Sequence, residues 1–544
     1  MGFMKLKKNI SIMLVIGLMS STLIGCSNTS SGAGKSLDKE NARKANNELI
    51  AAVTSEPETG FDATDTGHGD MTSVFFSTLF KRNKNLGMEN DLAKSYEISE
   101  DRLTWTVKIR EDVKFTDGEN LTAEDVVYTY EIAKNSGSSI DLTMLDSVSK
   151  VDDYTVEFKL KNPQSTFIEK LATVGIVPKH AHNEGFSDNP IGSGPYKLVQ
   201  WDKGQQVIAE ANENYYGEKP SIKKLTMVFM DDDTAYAAVK AGEVDIASIP
   251  GSFAKEEVEG KKLIELDSIE TYGVAYPMEQ PGKTTADGYP IGNEVTSDET
   301  IRKALTYAID REELVEGILE GYGAPSSTGL EKMPWLNEET IIKPEEDGKI
   351  DEAKKMLEEA GWKDTNNNGT IDKNGVEAEF DLLYTDGKYR QELGLAYVEV
   401  AKKLGIKVNL ENRNWDTIVP EINSQAVLYG FGSGDPSEIY NLYSSKTFGV
   451  GVPWNNSGYY QNDKVDEYID KALQSEDEDS ALEYWKKAQW DGETGFSHMG
   501  DCAYTWFVNA GHLYLADEDL DIGTPVVQPH GGKVLYNITE WSWK

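Results

Sequence analysis

Cysteine is nearly missing from this chain: 544 residues contain two, Cys26 and Cys502. Without a disulfide framework the fold must be held by core area, and at ~150 residues per domain the length implies about three or four lobes rather than one core. Positive charge is also scarce, with 54 Lys and Arg against 93 Asp and Glu and a net charge of −39. Such a surface repels phosphates, which excludes nucleic acid as a partner; it favours solubility and carries no information about ligand charge. No apolar run of membrane-spanning length follows residue 25. There is no His-Glu-x-x-His, Gly-x-Ser-x-Gly or Cys-x-x-Cys, and the six histidines, His68, His180, His182, His498, His512 and His530, are mostly scattered. His180 and His182 are near neighbours, but Pro178 places them in a loop, where solvated side chains are expected. With 93 acids any one carboxylate pair says little, so an extracellular hydrolase has no sequence feature of its own and no catalytic residue or cofactor is assigned.

What is present begins at the N-terminus. Lys5, Lys7 and Lys8 precede an uncharged run from Ile10 to Ile24, the pattern of a secretory leader too short to span a bilayer. Leu23-Ile24-Gly25-Cys26 then has the form of a lipoprotein cleavage site, in which the Cys26 thiol accepts the lipid. This reading makes residues 1–25 a lipoprotein signal peptide and 26–47 a flexible tether, and it places the protein on the outer face of a cell membrane. Gly34-Lys35-Ser36 resembles the end of a P-loop, but the spacing requires Gly where Thr29 stands and no strand signal precedes it.

Strand and helix signals alternate through the body. Trp105, Val107 and Ile109 alternate with polar residues, as do Val156, Phe158 and Leu160. Thr122-Ala123-Glu124-Asp125 is a capping box, and Ser297 or Asp298 caps a helix bearing Ile301, Ala304, Leu305, Ala308 and Ile309 on one face, with Gly321 available to close it. The fold class is α/β or mixed α+β. Asp364, Asn366, Asn368 and Asp372 match the ligand spacing of a calcium loop, with Gly369 at its turn, yet Gly375 stands where the bidentate Glu belongs; a polar turn is the alternative, and no metal is assigned.

Several segments together carry a resemblance. Leu92 to Tyr96, Leu103 to Arg110, Val113 to Gly118, Leu121 to Val127, Ile191 to Leu198, Ala241 to Ile246, Ile301 to Arg311 and Ala353 to Trp362 resemble, in order, extracellular solute-binding proteins of family 5, which serve peptide and nickel ABC importers. The resemblance implies a periplasmic-binding-protein-like type II fold of three lobes, two closing on a cleft. Lobe I would comprise 48–80, 190–268 and 505–544, accessory lobe II 81–189, and lobe III 269–504. It implies a short peptide or metal-chelate ligand, ABC permease and ATPase partners, membrane lipid joined through Cys26 and a single-membrane, Gram-positive host, where a lipid anchor keeps the receptor from diffusing away. A surface adhesin or secreted hydrolase would not explain the match.

In peptide receptors of the family, a loop ending in an acid and Pro carries an Asp four residues before the Pro that pairs with the peptide ammonium. Here that loop is Tyr429-Gly430-Phe431-Gly432-Ser433-Gly434-Asp435-Pro436, and Gly432 occupies the position of that Asp. Tyr429, Phe431, Gly432, Ser433, Asp435 and Trp415 are the expected ligand-binding residues. Either another acid such as Asp435 substitutes and the ligand is peptide-like, or the receptor belongs with the nickel and metal-chelate branch; Asp435 alternatively caps the helix that follows.

Overall fold

Seven strands run in the order Lys261–Leu266, His512–Asp517, Ile246–Ser248, Glu48–Val53, Lys224–Phe229, Gln206–Ala211 and Tyr196–Asp202. A second sheet orders Gly323–Pro325, Tyr504–Ala510, Thr271–Ala275, Ala426–Phe431, Glu379–Tyr384 and Lys407–Asn412, and a third, antiparallel throughout, orders Ala93–Ile98, Thr104–Ile109, Thr155–Leu160 and Leu145–Asp152. This computed structural model describes residues 40–544 except 58, 66–70, 85 and 137–139. The leader and Cys26 lie outside the described residues.

Each sheet owns its core. The alternating Trp105, Val107 and Ile109 bury one face of the four-stranded sheet against Val126 and Tyr130 of helix Ala123–Ala133. That helix starts where the sequence places it: Asp125 Oδ2 accepts from the Thr122 N–H at 2.9 Å and Thr122 Oγ1 accepts from the Glu124 N–H at 3.3 Å. The six-stranded sheet is covered on one face by helices Glu299–Ala308 and Arg390–Lys403 and on the other by Ser437–Tyr443, Asp463–Leu473 and Glu478–Gln489.

The chain visits the seven-stranded sheet, builds the four-stranded one, and returns at Tyr196. Gly192 and Gly194 make that return possible, because a Cβ at Gly192 would sit 1.9 Å from the Phe75 carbonyl oxygen and one at Gly194 2.5 Å from the Phe75 carbonyl carbon. The chain then passes to the six-stranded sheet between Leu266 and Thr271 and comes back between Ala510 and His512. Residues 505–510, grouped with lobe I in the sequence reading, thus hydrogen-bond in the other sheet. Tyr504–Ala510 is buried along its whole length between two neighbours, so it shows no alternation by which its sheet could be assigned.

Three further local expectations are revised. Residues 40–47, read as tether, dock on the seven-stranded unit: 40–45 are helical, Arg43 Nη2 pairs with the buried Asp245 at 2.7 Å, and Lys44 Nζ with Asp517 at 2.8 Å. The single helix expected to run to Gly321 is two, since Ile309 turns extended (ψ 130°) and Asp310 caps a new helix Arg311–Gly317 by accepting from the Glu313 N–H. His180 and His182 are paired rather than simply solvated, with Nε2 of each 2.7 Å from Asp117 and 2.9 Å from Asp62 respectively.

His498 sits among Glu299–Ala308 and its neighbours, with Nε2 donating to the Thr340 carbonyl at 2.9 Å and Nδ1 3.0 Å from the Tyr307 hydroxyl. Burial, reinforced by the charges of Arg311 and Lys303, pushes its pKa down to about 4 from 6.5. A histidine depressed on folding contributes stability that is whole above 6.5 and is lost as pH falls toward 4, here about 3 kcal/mol. Melting curves between neutral and mildly acid pH should therefore show His498→Gln losing less stability on acidification than wild type.

Candidate functional site

The carboxyl ends of strands from two sheets face each other across a cavity of about 1280 Å³. Ser55, just past Glu48–Val53, and His530 of the C-terminal segment line it from the seven-stranded side. Thr385, Asp386 and Arg390 after strand Glu379–Tyr384, Asn412 to Thr417 at the end of Lys407–Asn412, and Tyr429 to Phe431 line it from the six-stranded side. A crevice beyond the carboxyl ends of strands is where open α/β sheets place ligands, because loops there are free to vary without disturbing the core.

One wall is aromatic. Trp415 stacks on Tyr429 with ring centroids 5.9 Å apart and 23° between planes, and lies 5.7 Å from Trp454; Tyr429 lies 5.1 Å from Phe431. Tyr429 is itself buried and its hydroxyl bonds Ser457 Oγ at 3.3 Å, so Trp415 and Trp454, only partly buried, present the accessible rings. The other wall is charged. Arg413 is taken up by Glu411 and by Glu421 at 3.1 Å. Arg390 is different: Nη1 donates to Thr385 Oγ1 and to the Asp386 carbonyl at 3.2 Å, Nε is buried without a hydrogen-bond partner, and among the described residues no carboxylate pairs with it.

The expected site residues divide. Trp415, Tyr429 and Phe431 line the cavity together; Gly432, Ser433 and Asp435 are not among its lining residues. Gly432 packs on the Leu266-to-Thr271 crossing, its carbonyl accepting from the His530 N–H at 2.8 Å, and a Cβ there would lie 2.2 Å from the Ile269 oxygen at a φ of 135°. The Ser433 N–H donates to Glu438 Oε2 at 2.9 Å. Asp435 Oδ1 accepts from the Ser437 N–H at 2.8 Å, one residue ahead of the Pro436 cap of helix Ser437–Tyr443, while Oδ2 pairs with Lys170 at 3.0 Å. Burial would raise the Asp435 pKa, but Lys170 and the Ser437 bonds pull it below the usual carboxylate range. Asp364 and Asn368 spend their oxygens on loop N–H groups, Asp372 on Thr365, and Glu377 receives the side-chain amides of Asn366 and Asn368. Among the described residues no three His, Cys, Asp or Glu converge to hold a metal.

Sequence reasoning missed Arg390, Asp386, Trp454, Ser55 and His530. Thr385-Asp386-Gly387 directly after a strand was the available signal for the first two; the others come from distant segments.

At the crossing behind the cavity Glu270 is buried, with its carboxylate accepting from His512 Nε2 at 2.7 Å and the Gly531 N–H at 3.2 Å, and lying 3.3 Å from His530 Nδ1. Burial alone would raise its pKa; the bonds and charges of His512 and His530 overcome this and hold it well below the usual range. Lys388 reaches across from the six-stranded side to the Ile249 carbonyl at 3.0 Å and toward Asp232 at 3.9 Å.

Two bodies are joined by short crossings, with an aromatic and charged cavity between them. The model of bacterial extracellular solute-binding proteins, family 5, matches residues 87–451, and the chain belongs to that family. It is 34% identical to Protein XP55 of Streptomyces lividans over 86% of this chain and 85% of that protein, and 29% identical to the oligopeptide-binding protein AppA of Bacillus subtilis over 98% and 97%. Among solved structures it resembles NikZ from Campylobacter jejuni in complex with Ni(L-His), with TM-score 0.78 and 25% identity over 91% of this chain and 99% of that one. It also resembles AppA from Bacillus subtilis in complex with a nonapeptide, with TM-score 0.74 and 27% identity over the same shares. The protein is thus a solute-binding protein of the peptide and nickel importer type. No helix among the described residues is long and apolar enough to cross a membrane.

Proposed function

We propose that the cavity captures a short peptide or peptide-like ligand between two lobes and that the closed form is presented to an ABC permease. The observation that carries this reading is Arg390, a cation at the cavity wall that no carboxylate pairs with among the described residues, beside the partly exposed rings of Trp415 and Trp454. A ligand carboxylate completes the guanidinium, and an apolar side chain covers the rings. The exposed Asp386 and Asp416 at the same cavity offer charge to an ammonium in place of the acid absent at Gly432. The alternative ligand, a nickel or metal chelate, is favoured by the likeness to NikZ and by the same missing acid; its carboxylates would also suit Arg390. Lobe I is proposed as the seven-stranded unit, lobe II as the four-stranded one and lobe III as the six-stranded one, with the second crossing at Gly511.

Anchoring by an acylated Cys26 on the outer face of a Gram-positive membrane belongs to the same proposal and rests on the sequence before residue 27. Cys26→Ser is expected to release the protein from membranes, and unchanged association would refute the anchor. Calorimetry of the mature protein against a mixed short-peptide library and against nickel with histidine tests the ligand class: heat with one and not the other decides between them, and heat with neither refutes both.

A further inference from the structure

The four-stranded unit is inserted into the seven-stranded one and is bonded to it. Besides the two chain connections, the Phe61 N–H donates to the Ser187 carbonyl at 2.8 Å, His182 meets Asp62 at 2.9 Å, the Tyr216 hydroxyl donates to Asp91 at 2.6 Å, and the Arg82 N–H donates to the Tyr536 hydroxyl at 2.9 Å. No chain connection joins it to the six-stranded unit, yet it touches that unit along one strip. Helix Asp463–Leu473 ends there, and the four-stranded unit donates to its last carbonyls: the Ser165 N–H to Leu473 at 2.7 Å, Ser165 Oγ to Ala472 at 3.0 Å, and Arg102 to Gln474. Beside it, Lys170 Nζ pairs with Asp435 Oδ2 at 3.0 Å and donates to Ser437 Oγ at 3.2 Å. Both side chains are largely shielded, 12% and 14% exposed. Glu169, the acid next to Lys170 in its own unit, is held by Arg82, so among the described residues the one ion pair of Lys170 is with Asp435.

We propose that Lys170–Asp435 and the Ser165–Leu473 bond form a latch by which the accessory lobe, rather than the two cleft walls alone, holds the receptor closed. The latch rests on the reading of the cavity as one that opens to admit ligand. Its geometry follows from connectivity: rotation about the crossings at residues 266–271 and 510–512 leaves the contacts within the joined units intact, and every contact in this strip must break. A shielded ion pair is suited to the task, because parting it exchanges a strong short-range bond for hydration of both charges and gives two well-separated states. Asp435, which the sequence pattern places in the ligand loop, thereby acts on the ligand through closure.

The test is amide hydrogen exchange on the full mature chain, alone and with whichever of the short-peptide library or nickel-histidine gives heat, for wild type, Lys170→Met, Asp435→Asn and a control, Lys94→Met, which removes an exposed pair with Glu111 inside the four-stranded unit. Asn at 435 retains an acceptor for the Ser437 N–H and removes only the charge. The latch predicts that exchange at Ser165 rises at least fivefold in Lys170→Met and Asp435→Asn, while the amides of Thr104–Ile109 and Thr155–Leu160 keep wild-type protection and the control is silent throughout. Where a probe binds, its dissociation quickens at least tenfold in both latch variants with association within about twofold, since encounter uses the open form. Unchanged exchange at Ser165, or exchange that rises equally across the four-stranded sheet, overturns the latch. A chain that binds neither probe but shows the selective change at Ser165 keeps the latch and loses the proposed ligand classes.

Discussion

Arg390→Ala should weaken ligand binding by about a hundredfold while leaving the melting temperature essentially unchanged. The two halves of the expectation come from one fact. Arg390 bonds locally through Nη1 to Thr385 Oγ1 and the Asp386 carbonyl, and among the described residues no carboxylate pairs with it, so its removal costs the free protein little; a ligand carboxylate denied a charged hydrogen-bond partner loses about 2–3 kcal/mol. Calorimetry with the binding probe and a thermal melt on the same sample measure both. Arg413→Ala is the contrasting variant, because Arg413 is already occupied by Glu411 and Glu421; its removal frees two carboxylates and should alter binding much less. Equal losses in the two variants would assign the effect to the net charge of the cavity rather than to Arg390.

Gly432→Ala should destabilise the protein by about 3 kcal/mol or more, although the position is at the surface of no core. Its φ of 135° is closed to L side chains, and the new Cβ would lie 2.2 Å from the Ile269 carbonyl oxygen, which is backbone in the crossing between the two sheets and has no rotamer to escape into. Denaturant unfolding measures the loss. A bulky residue at 432 would displace the crossing, and with it Glu270 and His530, before reaching any ligand. The glycine at 432 is therefore accounted for by backbone approach.

What could be read from the amino-acid order follows the range of the interaction. The Thr122 capping box, the alternation of Trp105, Val107 and Ile109, and the cap at Asp298 involve residues a few positions apart, and each is seen in the structure. The family itself was legible because its segments recur in order, although each is weak alone. The break at Ile309 was hidden by an apolar stripe that continues across it, and the docking of residues 40–47 depends on Asp245 and Asp517, hundreds of residues away. At the site, Trp415, Tyr429 and Phe431 were expected from the family resemblance, which read 429–436 as a loop, whereas Tyr429 and Phe431 belong to strand Ala426–Phe431 and only the residues after it form the loop. Two features were not legible. Arg390 is distinguished by what fails to surround it, and a missing partner leaves no trace in sequence. Asp435 looks like a loop acid until Lys170, 265 positions earlier, is brought beside it.

Native mass spectrometry of the mature protein purified from producing cells tests directly whether the cavity holds a small solute. The predicted spectrum contains, besides the bare chain, species heavier by the mass of short peptides or of a nickel chelate, released on denaturation and depleted in Arg390→Ala. A spectrum of bare protein alone, from a sample that also gives no heat with the peptide library or with nickel-histidine, would contradict it.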